Sequence, residues 1–134
     1  MRRDDIWLKE KLDKIWELLF PEVEKPNTVD TLFKGKSLRR FGCIKKKKKD
    51  SVIEINSLFR DERVPEYVID TTLAHELVHY MHGFNSPLPR KYRHPHRGGI
   101  VDRELVKRGF GHNLSMEKVW AKNQWEKVFR MIKG

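Results

Sequence analysis

One cysteine, Cys43, stands in a chain of 134 residues. That excludes an internal disulfide, and with it a zinc site built on several thiolates. No stretch of about eighteen apolar residues occurs, so no membrane-crossing helix is expected. The first residues, Met1-Arg2-Arg3-Asp4-Asp5, lead into an amphipathic segment and not into the apolar block of a signal peptide. The expected location is therefore the cytoplasm, with no membrane partner. There is no internal repeat, and no low-complexity stretch beyond the five lysines Lys45 to Lys49. Apolar residues make up only 38%, yet four Trp and seven Phe suffice for one hydrophobic core. The length fits a single domain over residues 1–134.

Charge is what the chain has in excess. Its 29 Lys and Arg outweigh 19 Asp and Glu, for a net charge of +10. Such a surplus attracts polyanions, nucleic acid foremost, through phosphate contacts and counterion release. The same surplus also fits the charged surface that hyperthermophile proteins carry. Charge by itself does not separate the two.

The pattern along the chain predicts an α+β fold. From Asp4 to Phe20, Leu8, Leu12, Ile15 and Leu19 recur at helical spacing, with Trp7 and Trp16 beside them. Asp4 and Asp5 suit the start of that helix and Pro21 its end. Residues 21–37, with Pro21, Pro26, Asn27, Gly35 and Ser37, read as a connector holding a short element around Val29 to Phe33. Leu38 to Lys48 and Ser51 to Phe59 read as a β-hairpin, a small antiparallel sheet, since Ile53 and Ile55 alternate with Glu54 and Asn56. The lysines fall on its first strand and turn, where they would guard an exposed edge or bind a polyanion. Pro65 and Glu66 open a helix that runs through His82 and stops at Gly83, with Ile69, Leu73, Leu77 and Tyr80 as its buried stripe. A proline-rich loop, 83–99, leads to a short helix from Ile100 to Arg108. Ser115 is the expected N-cap of a last helix to Ile132, with Val119, Trp120, Val128, Phe129 and Ile132 on its buried side.

The central helix carries the chemistry, in His75-Glu76-Leu77-Val78-His79. Imidazoles at i and i+4 meet on one helix face, the spacing that clamps one metal ion. A glutamate beside the first histidine is placed to take a proton from a water on that metal. This is the zinc-peptidase signature. A catalytic zinc takes three protein ligands and keeps a fourth position for water. The third ligand lies further along. His96 is the first choice and His94 the second, both in a loop where prolines restrict the backbone. Glu104, a carboxylate on the apolar stripe of the next helix, is the third. Glu76 would be the general base, and Tyr80, His82 and His112 are the candidates for stabilising the oxyanion. A peptide substrate would add as a strand if Ile53 to Asn56 form a sheet edge beside the cleft.

Over residues 38–110 the chain resembles a minimal zincin of the SprT-like type, the family of the Spartan and Wss proteases. The resemblance rests on Ile53-Glu54-Ile55-Asn56, on Thr72-Leu73-Ala74-His75-Glu76-Leu77-Val78-His79-Tyr80, and on a later histidine leading to a helix that ends Lys107-Arg108-Gly109. It implies one catalytic Zn2+ on His75, His79 and His96 or His94, with Glu76 as base. The family pattern has glycine directly after the third histidine, whereas Pro95 follows His94 and Arg97 follows His96 here. The chain is also similar to the minigluzincins, small peptidases of which some are held latent by their own C-terminal segment. Spartan-type proteases act on proteins crosslinked to DNA, which implies a DNA partner reached through Lys and Arg alone. The expectation is a zinc metallopeptidase acting on peptides or nucleic-acid-associated proteins. The alternatives are a nucleic-acid-binding module with a structural or degenerate zinc site, and a latent peptidase whose fourth zinc position is filled.

Overall fold

The computed structural model describes residues 2–134, and its fold is α+β. Helix α1 spans Asp5–Leu19. The side chain of Asp4 caps it by accepting from the Trp7 N–H at 2.8 Å, which satisfies one of the orphan donors of the first turn. Leu8, Leu12 and Ile15 are buried along one face, as their spacing predicts.

Three strands follow, β1 (Val29–Phe33), β2 (Gly42–Lys47) and β3 (Asp50–Ile55). The hairpin β2–β3 is antiparallel, but the sheet is not. Val29–Phe33 pairs parallel to β3, so the sheet is mixed and its order is β1-β3-β2. This corrects two expectations. The sheet is not purely antiparallel, because the short element expected around Val29 to Phe33 joins it as a parallel strand, and the strand through Ile53 to Asn56 is central, not an edge. A central strand hides both of its faces: Val52, Ile53 and Ile55 are all buried. Ser57–Arg60, expected to continue the strand, forms a 3-10 turn after Asn56 accepts the Leu58 N–H. The exposed edge of the sheet is β2. Its Lys45, Lys46 and Lys47 point to solvent, a common defence of an edge against pairing with another chain.

Helix α2 (Glu66–Met81) crosses the middle of the molecule. Ile69, Leu73, Leu77 and Tyr80 are buried, as expected, and so are Val68, Ala74 and Val78. The helix is wrapped by α1, the sheet and the C-terminal helices, so it is apolar on most of its circumference. Gly42 lets β2 approach it closely, since a Cβ there would stand 2.7 Å from Thr72 Cγ2.

The C-terminal part is α3 (Ile100–Lys107), α4 (Gly111–Asn123) and α5 (Trp125–Lys133). Two helices stand where one was expected, and Ser115 lies within the first of them and not at its cap. The break at Gln124 resets the helical phase. It turns Trp125 into the core, where its indole N–H donates to the Leu38 carbonyl at 2.7 Å and its ring meets Phe59 edge-on. Trp120 and Val128 are buried as predicted, whereas Val119 is 60% exposed. No helix among the described residues is long and apolar enough to cross a membrane.

Candidate metal centre

One helical turn separates His75 from His79 on α2, and their Nε2 atoms lie 3.1 Å apart. At that distance the rings either share one proton or turn two lone pairs toward one cation. His96 completes the group from the loop after the helix, its ring centroid 4.5 Å from that of His79. One nitrogen from each of the three lies within 4.8 Å of the others. Three histidines so placed can hold a metal ion.

The loop returns because the helix ends abruptly. Gly83 adopts φ +80°, and a Cβ there would run into the backbone of Pro89. The Phe84 N–H donates to the His79 carbonyl at 2.9 Å and the Gly83 N–H to that of Tyr80 at 3.0 Å, the paired bonds of a Schellman ending. Asn85 then ties the loop to the hairpin: its Nδ2 donates to the Ile44 carbonyl at 2.9 Å and its own carbonyl accepts from Ser51 Oγ at 2.7 Å. The Lys91 N–H returns to the His82 carbonyl at 2.9 Å. Together these bonds carry the chain back over α2, so that His96 faces His79.

The other two candidates for the third ligand lie elsewhere. His94 is exposed and outside the cluster. Glu104 accepts from Arg108 Nε at 2.7 Å, and Arg108 also reaches Glu22 at 2.6 Å and the Leu19 carbonyl at 2.7 Å. A carboxylate on an apolar stripe is thus explained by a guanidinium that pins α3 to the end of α1. Glu104→Ala is expected to cost about 1–3 kcal/mol in urea unfolding, because it strips a partner from a poorly solvated cation, while metal content stays unchanged.

Burial sets the proton chemistry. It lowers His75 to about 4 and His79 to about 3, helped by the neighbouring imidazoles, so both are neutral at pH 7 with lone pairs free for a metal. His79 Nδ1 is buried without a hydrogen-bond partner. Its ring is held by packing instead, 5.6 Å from Phe84. Glu76 is 4% exposed. Burial raises its carboxyl to about 8, against the opposing pull of Arg40.

These shifts give the metal-free protein a definite pH dependence. Between about 4.5 and 8 the unfolded chain releases the Glu76 proton and the folded chain keeps it, so stability falls as pH rises. The histidines act oppositely. Below 6.5 the unfolded chain binds protons that the folded one refuses, so their contribution is lost as pH falls toward 4 and 3. With chelator present, Glu76→Gln should gain on the wild type by up to a few kcal/mol as urea titrations move from pH 5 to pH 8. Parallel stability curves across that range would show that Glu76 holds no proton.

Beside Glu76 a cleft of about 540 Å³ opens between α2, the start of β2 and α4. His75 and Glu76 form part of its wall, with Arg39, Arg40 and Gly42 on the β2 side and Leu114, Glu117 and Lys118 on the α4 side. The three oxyanion candidates do not line it. Tyr80 is turned toward α1, its hydroxyl donating to Asn27 Oδ1 at 2.6 Å and its ring edge-on to Trp16. His82 is buried against Tyr92, ring centroids 4.9 Å apart. His112 is exposed on the first turn of α4. In their place the cleft has Arg40. No sequence spacing connects it to the motif, because the mixed sheet brings it there. No family model, curated protein or solved structure matches the chain.

Proposed function

We propose that the protein is a zinc-dependent peptidase with Glu76 as its general base. The observation that carries this reading is the meeting of His75, His79 and His96 within 4.8 Å of one another, with His75 and the adjacent Glu76 also in the wall of an open cleft. Three neutral imidazoles are the donor set of a catalytic zinc that keeps a fourth position open. Zinc bound there would supply a Lewis acid for a peptide carbonyl and a lowered pKa for a water molecule.

The chain's own groups do the rest. Glu76 takes the proton of the attacking water and hands it to the leaving amine. Next to a dication its carboxylate form is favoured, so the raised value belongs to the metal-free protein. The Arg40 guanidinium lines the same cleft and acts on the Glu76 carboxyl, and in this reading it would stabilise the negative charge growing on the carbonyl oxygen. The free side of β2 begins at Gly42 in the cleft wall, and an extended peptide adds to it there through main-chain hydrogen bonds. The resemblance to SprT-like peptidases and minigluzincins agrees with this assignment.

The test is metal analysis together with cleavage of an unstructured peptide. One zinc per chain, with cleavage that stops on chelation and returns on adding zinc, is the expected result. Zinc uptake without cleavage of any peptide would leave a latent or structural metal site and end this reading.

A nucleic-acid partner is the second part of the proposal, carried by one observation. Lys46 to Lys49 are exposed and form no ion pair among the described residues. Asn85 joins their hairpin to the loop that bears Arg90, Lys91, Arg93 and Arg97. Phosphate groups suit such a face. Binding of duplex DNA should fall steeply with salt, and replacing the four lysines by glutamine should flatten the log–log salt slope by up to about 3–4. An unchanged slope would place the contact elsewhere.

A further inference from the structure

We propose that Glu117 makes the cleft select substrates carrying a basic side chain, lysine or arginine, close to the scissile bond; this rests on the peptidase reading above. Leu114, Glu117, Lys118 and Ala121 follow the i, i+3, i+4, i+7 pattern, so all four share one face of α4. That face forms the cleft wall opposite Arg39 and Arg40. Besides Glu76, the cleft is lined by two carboxylates in different states, Asp102 and Glu117. Asp102 is matched by Lys118, whose Nζ donates to it at 2.6 Å. Glu117 is half-buried and takes part in no hydrogen bond or ion pair among the described residues.

A half-buried carboxylate that lines a cleft and has no protein partner is free to pair with a cation brought by a ligand. Burial pushes its pKa up, and the nearby Lys118 only partly offsets this. The apolar Leu114 and Ala121 flank it on the same helix face, a surface along which the methylenes of a lysine or arginine would lie while the charged head reaches Glu117. Arg39 and Arg40 on the β2 side are exposed and therefore screened by solvent, which damps their repulsion of such a head, whereas the half-buried Glu117 is screened less. Outside the cleft the surface is basic, so the overall charge of the protein would favour acidic substrates. Glu117 reverses that preference locally.

The experiment uses full-length, zinc-loaded protein and matched peptides that differ at one position, bearing Lys, Arg, Gln or Glu. Two readouts are taken: kcat/KM with the wild-type base, and peptide binding by fluorescence anisotropy in a Glu76→Gln background. Wild type should favour Lys or Arg over Gln by about tenfold or more, the scale of one charge-assisted hydrogen bond. Glu117→Gln should reduce that ratio to near one, and Glu117→Lys should turn the preference toward the Glu peptide. Two variants at a partly solvated position guard against a folding artefact. Equal preference in wild type and Glu117→Gln, or a wild-type preference for the Glu peptide, overturns the proposal. Peptide cleavage without discrimination sinks it and leaves the peptidase reading intact. Lysine-dependent binding that Glu117→Gln abolishes, without any cleavage, would leave Glu117 as a cation-binding group and overturn the peptidase reading together with substrate selection.

Discussion

Glu76→Gln is expected to lower kcat for peptide cleavage by about two to four orders of magnitude while each chain still holds one metal ion. Glutamine keeps the shape of glutamate and can neither accept nor return a proton. The histidines that would hold the ion are a separate set of atoms: His75 and His79 project from α2 and His96 from the loop. The fold should tolerate the change, because the metal-free wild type already carries a protonated, uncharged Glu76 at neutral pH. KM should move little, since the loss falls on proton transfer and not on substrate binding. Equal activity in mutant and wild type would remove Glu76 from the reaction, whatever the metal content.

The second large effect concerns the metal. His96→Ala should weaken zinc binding by more than the ~10–100-fold typical of losing an outer-shell partner, because it removes one donor of three. Competition with a coloured chelator measures this directly. The same measurement on His94→Ala should match wild type, since His94 is exposed and outside the cluster. The outcome that would sink the assignment is the reverse one, with His94→Ala losing zinc and His96→Ala keeping it. The effect on folding should be small in both variants, because His96 is itself exposed and fills no core position.

The parts of this molecule that were legible beforehand are those that depend on local order. His75, Glu76 and His79 are joined by helical geometry, and a pattern of Ile69, Leu73, Leu77 and Tyr80 is enough to predict that helix and its buried side. The first helix reads equally well, from Asp4 as cap to the buried Leu8, Leu12 and Ile15. The hairpin reads from its alternation and a break expected at Lys49 and Asp50, one residue after the Lys48–Lys49 turn that the pairing of Lys47 with Asp50 sets. Misreadings cluster where a distant partner decides. The short element expected at Val29–Phe33 is present, and what local spacing did not record is its parallel pairing with β3 further along the chain. The break at Gln124 has no proline or glycine to announce it. It exists because Trp125 is drawn to Phe41 and Phe59, far away in the chain.

The site divides along the same line. Sequence alone determined the helix, the two candidate ligands on it and the proposed base beside the first of them, because an i, i+4 relation is fixed by 3.6 residues per turn and needs no other part of the protein. It also narrowed the third ligand to three residues. Tertiary structure alone separates these candidates: the Schellman ending at Gly83 and the Asn85 bonds return His96 to the helix, while Arg108 claims Glu104. The wall of the cleft was decided there too, since Arg40 precedes an edge strand and Glu117 sits on a helix that starts some thirty residues after the motif ends, about nine helical turns of chain. Nothing in local sequence spacing records that those side chains face each other. Only the packing of β2 and α4 on opposite sides of α2 puts them in one cleft.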